Sequence, residues 1–154
     1  MTVRNLEFLF RPKSVAVIGE PDQPDCYAGV VLRNLVAGGF DGPIMQASAK
    51  KRSLFGLGAH IHLDELEQAP DLAIVCAALR DVPQIVAKLG ARGTRAVIVG
   101  PSLRDTMSSS EVLQARQAIL EAARPFLMRV LGPGSGGLLV PGSRLNASVA
   151  PANA

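Results

Sequence analysis

Gly19 ends the short β-branched run Ser14-Val15-Ala16-Val17-Ile18, and beyond a brief loop Tyr27-Ala28-Gly29-Val30-Val31-Leu32-Arg33-Asn34-Leu35 opens a helical pattern. A buried strand, a sharp turn at glycine and the unpaired N–H groups of the next helix together suit a phosphate. A nucleotide-like ligand is therefore the first chemistry to consider. The loop Glu20-Pro21-Asp22-Gln23-Pro24-Asp25-Cys26 is not G-x-G-x-x-G, so the dinucleotide fingerprint is absent. A lone glycine after a strand also occurs in connections that bind nothing. Cys26 stands where a helix N-terminus lowers a thiol pKa, which allows a reactive role, whereas Cys76 within Leu72-Ala73-Ile74-Val75-Cys76-Ala77-Ala78 reads as a small core hydrophobe. His60 and His62 alternate and would share a strand face, but no Cys or carboxylate accompanies them at ligand spacing. Solvated edge residues are the simpler reading, and no metal site is expected.

The elements that must position these groups follow from composition. The chain has 154 residues, enough for one domain with its own core. Apolar residues make up 48% and aromatic residues only 4%, so the core must come from Val, Ile, Leu and Ala, as in helices packed on a parallel sheet. The net charge of +3 is scattered, which suits an anionic ligand but lacks the basic stripe of a nucleic-acid binder. No apolar run approaches membrane-spanning length. The two cysteines and a start without a signal-peptide pattern lead us to expect a reducing, cytoplasmic setting.

Periodicity predicts strands near residues 14–19, 44–47, 71–77, 95–99 and 126–131, with a short edge strand near 59–63. Helices are expected over about 27–37, ending at Gly38-Gly39, then from an Asp81 cap to Gly90 and Gly93, and from a Ser108/Glu111 capping box onward. The second of these should bury Val82, Ile85, Val86 and Leu89, and the third Val112, Leu113, Ile119, Leu120 and Ala123. Residues 6–13 should cover one sheet edge. The tail 141–154, rich in Pro, Ala, Ser and Asn, is expected to be a linker or an unpaired end leading toward an absent second domain, leaving 1–140 as the folded domain. Alternating strands and helices imply an α/β, doubly wound parallel sheet of Rossmann-like type. Ligands on such sheets lie beyond the carboxyl ends of the strands. That rule gathers residues 19–28, 47–51, 77–81 (Ala77 and Ala78 among them), 100–103 and 132–137 around one crevice.

Several segments then resemble one family together and in order. Leu9-Phe10-Arg11-Pro12-Lys13-Ser14-Val15-Ala16-Val17-Ile18-Gly19, Gly39-Phe40-Asp41-Gly42-Pro43-Ile44, Val82-Pro83-Gln84-Ile85-Val86, Leu89-Gly90-Ala91-Arg92-Gly93 and Leu131-Gly132-Pro133 through Leu145-Asn146-Ala147-Ser148 carry the likeness. It is to the N-terminal CoA-binding domain of NDP-forming (ADP-forming) acyl-CoA synthetases. Related domains occur in the succinyl-CoA synthetase alpha subunit and in acetyltransferases fused to an inactive synthetase.

The resemblance implies CoA or acyl-CoA as ligand, with Gly19, Glu20, Pro21, Cys26, Tyr27, Ala28 and Gly29 in the pyrophosphate region. It likens Lys50 to a lysine near the adenosine 3′-phosphate, and Gly132-Pro133 to a segment near the pantetheine end. Backbone N–H groups and an ammonium are natural phosphate partners. The chain departs from the family pattern at Glu20, Asp22 and Asp25, which put carboxylates in the phosphate loop. At an effective dielectric near 20, a carboxylate roughly 5 Å from a phosphate charge costs about 3 kcal/mol before screening.

Family catalysis uses a phosphohistidine in a second domain and an ATP-grasp part. Neither histidine here lies in a matching segment, and no P-loop motif occurs. No catalytic residue is assigned, and a non-catalytic CoA-binding module of a synthetase-like system is the leading expectation. A ligand-free interaction or regulatory module, pairing with a synthetase-like subunit or with its own copy, is the alternative. A dinucleotide-binding oxidoreductase domain fits least, because Ala47-Ser48 stand where a ribose-binding carboxylate would end the second strand.

Overall fold

The structure is a computed structural model and describes residues 3–20, 27–48, 62–101 and 106–150. Five parallel strands, β1 (Val15–Gly19), β2 (Ile44–Ala47), β3 (Leu72–Cys76), β4 (Ala96–Val99) and β5 (Arg129–Leu131), form one sheet in the order β2-β1-β3-β4-β5. Helices α1 (Glu7–Phe10), α2 (Ala28–Ala37), α3 (Val82–Arg92) and α4 (Ser109–Ala123) cover its faces. β1 and β3 are buried along their whole length, as continuous apolar runs in the centre of a parallel sheet require. The doubly wound α/β class is thus the one expected.

Strand alternation sorts the core into two layers. Val15, Val17, Leu72, Ile74 and Ile98 face Leu9, Val31 and Leu35 on the α1/α2 side. Ala16, Ile18, Val75, Val97 and Val99 face Val82, Ile85, Val86 and Leu89 of α3, with Ile119 and Ala123 of α4. The inner face expected for α3 is therefore the observed one. For α4 it is narrower, since Val112, Leu113 and Leu120 are exposed. The N-terminal segment also differs from expectation: α1 lies against the interior strand β4, covering a face and not an edge.

The tail expectation is corrected over its described part. β6 (Gly137–Val140) and β7 (Leu145–Ser148) form an antiparallel hairpin with Leu138 opposite Ala147. β7 packs on α2, where Leu145 and Ala147 are fully buried. Buried Asn34 of α2 donates through Nδ2 to the Ser148 carbonyl at 2.9 Å and the Ala150 carbonyl at 2.7 Å, fixing the end of the hairpin. Arg144 pairs with Asp41 at its turn.

Smaller differences have local causes. Gly90 does not end α3; it lies inside the helix, where a Cβ would stand 2.2 Å from the Phe126 ring. Gly93 alone takes the left-handed cap, at φ 113°. Asp81 makes no side-chain cap because α3 continues directly from a 3₁₀ turn, Leu79–Asp81. After α2, Gly38 stays right-handed and Gly39 takes φ 72°. β5 begins later than expected, since Arg124–Phe126 forms a 3₁₀ turn and Leu127 is left-handed. The edge strand near 59–63 is represented among the described residues by one parallel bridge between Ser48 and His62. His62 then caps the 3₁₀ turn Leu63–Glu65, its Nδ1 accepting from the Asp64 N–H.

Candidate functional site

The chain leaves β1 for β2 on one side and returns to β3 on the other, so the carboxyl ends of β1 and β3 flank the topological switch point. Open α/β sheets bind ligands there. Gly19 and Cys76 are register partners at that spot. A Cβ on Gly19 would meet the Cys76 carbonyl oxygen at 2.7 Å and the Ala28 Cβ at 3.1 Å. Glycine thus lets the start of α2 rest directly on the ends of β1 and β3. Tyr27 precedes α2 in right-handed conformation, and no side chain among the described residues caps the helix. Its first-turn N–H groups, at Ala28 and Gly29, carry the positive end of the helix dipole to the switch point.

Glu20 leaves β1 half-buried, and its Oε1 accepts a hydrogen bond from the Ser48 hydroxyl just past β2. The carboxylate therefore leans across toward the β2 end. Sequence reading found Ser48 where a ribose-binding carboxylate is usual; folding brings one to it from the neighbouring strand.

On the other side of the switch point lies a cavity of about 210 Å³. Ala77 and Leu79 contribute from the end of β3, Gly100 and Pro101 from β4, and Pro133 and Gly134 from beyond β5. Met107 and Val112, at the entry of α4, close it. The loop after β5 reaches this position by crossing the end of β4. Ser135 donates its N–H to the Val99 carbonyl at 3.1 Å, and a Cβ on Gly132 would lie 2.4 Å from that oxygen. Gly132, at φ 105°, is thus required by close approach as well as by conformation.

Of the residues predicted from sequence, Gly19, Glu20, Tyr27, Ala28 and Gly29 gather at the α2 entry, while Ala77 and Pro133 line the cavity. Gly132 supports the cavity loop, and Ala78 begins the 3₁₀ turn behind it. Pro21, Cys26 and Lys50 lie outside the described residues, as do Asp22, Asp25 and His60. Met107 and Val112 were missed. The signal that could have found them is the Ser108/Glu111 capping box between them, because a helix entry after a parallel strand lies at the ligand-facing end of the sheet.

Residues 13–141 match the CoA binding domain family. The chain belongs to that family. It is 30% identical, over 96% of its length, to the acetate–CoA ligase (ADP-forming) I subunit alpha of Pyrococcus furiosus, of which it covers 32%. It is 28% identical, over 90% of its length, to the acetate–CoA ligase (ADP-forming) II of Archaeoglobus fulgidus, of which it covers 20%. Among solved structures, a dinucleotide-forming acetyl-coenzyme A synthetase 1 of Ca. Korarchaeum cryptofilum, in complex with phosphate and ADP, superposes with a TM-score of 0.76. That likeness has 27% identity and covers 96% of this chain and 31% of the other. The CoA-binding domain thus spans a third or less of these relatives. Among the described residues no helix is long and apolar enough to cross a membrane.

Proposed function

We propose that this CoA-binding domain serves as the CoA- or acyl-CoA-binding module of an NDP-forming acyl-CoA synthetase-like system, working with catalytic domains supplied elsewhere and forming no acyl-CoA by itself. The observation that carries the reading is the division of the crevice. At one end lies the entry of α2, without a side-chain cap among the described residues, and at the other an apolar cavity. CoA divides likewise into a diphosphate-bearing nucleotide and a neutral arm ending in a thiol.

In this reading the amides opening α2, with Gly19, Ala28 and Gly29, receive the diphosphate. Lys50 meets the 3′-phosphate of the adenosine. Ala77, Ala78, Gly132 and Pro133 border the pantetheine end. The setting is cytoplasmic, and the partner is a synthetase-like subunit or domain. Calorimetry with CoA, acetyl-CoA, NAD and ADP tests the proposal. Heat with the CoA species and none with NAD is the expected result; silence with every CoA species up to millimolar concentration would remove it. Lys50→Ala should weaken CoA more than dephospho-CoA, and equal losses would refute the 3′-phosphate role.

A second reading has its own observation. Glu20, held toward β2 by Ser48, sets a carboxylate at the carboxyl ends of β1 and β2, along the edge of the sheet that an anion would approach. A module that kept the fold and lost the ligand, burying this crevice against a partner subunit, suits that charge. Capture of a synthetase-like partner together with a silent ligand screen would favour it.

A further inference from the structure

We infer that a cavity at the amino end of the sheet, opposite the CoA crevice, binds a small organic polyanion through Arg4, Arg92 and Arg95. It stands independently of the CoA reading. The cavity, of about 420 Å³, lies where α3 ends and β4 and β5 begin, and its size is that of small-molecule sites. Arg92 and Arg95 line it from the end of α3, Arg4 and Asn5 from the segment before α1, and Phe126 and Leu127 from the turn before β5. Three guanidinium groups thus share one cavity whose described lining contains no carboxylate.

Capping of the helix does not account for these arginines. The end of α3 is closed by its own backbone, the Gly93 N–H donating to the Gly90 carbonyl and the Thr94 N–H to the Leu89 carbonyl, both at 3.0 Å. Arg92 donates to the Asp64 carbonyl at 3.2 Å and to the Leu66 carbonyl. Both acceptors are neutral, so its charge stays uncompensated. Arg95 is half-buried, and its guanidinium has no hydrogen bond or ion pair among the described residues. The Asp71 carbonyl accepts from the Arg95 N–H, yet the Asp71 carboxylate is turned to the Lys13 N–H at 2.8 Å. A partly desolvated cation without a counter-ion is costly, and an oxyanion taking the planar fork of donors supplies what is missing. The segments that carry the donors are tied together. Asn5 at φ 62° and Leu127 at φ 52° are both left-handed, a rare state for leucine, and Asn5 Nδ2 donates to the Leu127 carbonyl at 2.9 Å. Arg129 Nε holds the Arg4 carbonyl at 2.7 Å. Phe126 and Leu127 add apolar surface, which suits a carbon skeleton between anionic groups. Phosphate esters and polycarboxylates share that chemistry.

Titration of the full chain with citrate and with a hexose bisphosphate, at constant ionic strength and followed by calorimetry and amide NMR spectra, tests the inference. Amide shifts should appear at Asn5, Gly93, Arg95 and Leu127 and not at Ala28 or Gly29. Preference for citrate would assign polycarboxylates and preference for the bisphosphate would assign phosphate esters; either supports the site. Arg95→Gln should weaken the preferred probe by about ten- to hundredfold. Arg95→Lys, which keeps the charge and loses the fork, should also bind more weakly than wild type, whereas Arg33→Gln, exposed on α2, should not. Circular dichroism checks folding, and Arg4→Gln in the exposed N-terminal segment repeats the test should Arg95→Gln fail to fold. Shifts confined to the α2 entry, no binding of either probe up to millimolar concentration, or equal affinities for Arg95→Lys and wild type would overturn the site. None of these results touches the CoA reading.

Discussion

Replacing Gly19 by alanine tests how the α2 entry is held at the switch point. The added Cβ would lie 2.7 Å from the Cys76 carbonyl oxygen and 3.1 Å from both the Ala28 and Cys76 Cβ atoms. None of these belongs to a flexible side-chain end, so either the tip of β3 or the first turn of α2 must move. Overpacking of this kind costs about 1–3 kcal/mol. Against it stands the smaller entropy of the unfolded alanine chain, worth about 0.4–1 kcal/mol. The net expectation is a loss of about 1–2 kcal/mol, or about 3–6 °C in Tm for a domain of this size. Gly100→Ala is the matched control, because its Cβ would meet nothing nearer than 3.5 Å. That variant should melt within about 2 °C of wild type. Chemical denaturation gives the free energies and thermal melting the shifts. Equal stability of Gly19→Ala and wild type would show that α2 does not press on the strand ends, and the account of the crevice would fail.

The hairpin gives two further expectations. Asn34→Ala removes two hydrogen bonds to carbonyls of the hairpin end and should cost about 2 kcal/mol, read by urea denaturation; a loss below about 0.5 kcal/mol would mean the tail is not clamped. Leu145→Ala, fully buried, should cost about 2–5 kcal/mol, while Leu139→Ala on the exposed strand face should stay within about 0.5 kcal/mol; similar values for both would contradict the hairpin's register. The Thr94 hydroxyl is wholly buried and has no hydrogen-bond partner among the described residues. Thr94→Val should therefore stabilise the fold by about 1 kcal/mol, and a destabilised variant would reveal a partner for that oxygen. At the start of α4, the Ser108 hydroxyl and backbone N–H both donate to Glu111, holding its carboxyl below the ordinary 4.5. A folded pKa that is depressed contributes stability present above the unfolded value and lost as pH falls through the folded one. Protection of the first-turn amides of α4 against exchange, taken relative to the intrinsic rate at each pH, should thus fall on acidification below the usual carboxylate range. Identical pH profiles for wild type and Glu111→Gln would speak against the cap.

Much of the architecture was local information. Continuous apolar runs marked the strands, the Ser108/Glu111 pair marked the α4 entry, and Val82, Ile85, Val86 and Leu89 spaced the buried face of α3. The carboxyl-end rule then put Gly19, Ala77 and Pro133 around one crevice, because in a parallel sheet the direction of the strands decides which loops meet. These features depend only on neighbours within a turn or a strand, so a linear reading can reach them.

Tertiary packing decided the rest. Leu145 and Ala147 look like scattered apolar residues in a tail until the hairpin turns β7 toward α2, where Asn34 waits more than a hundred positions earlier in the chain. Gly90 reads as a helix stop until Phe126 needs the space of its missing side chain. Val112 and Leu120 share an apolar stripe with Ile119, yet the sheet is wide enough to bury only Ile119, leaving Val112 to wall a cavity. Residue types determined by themselves that a parallel sheet would form and which end of it would face a ligand. Only the assembled layers decided what that end is made of, because the contacts that build it join residues with no relation in sequence.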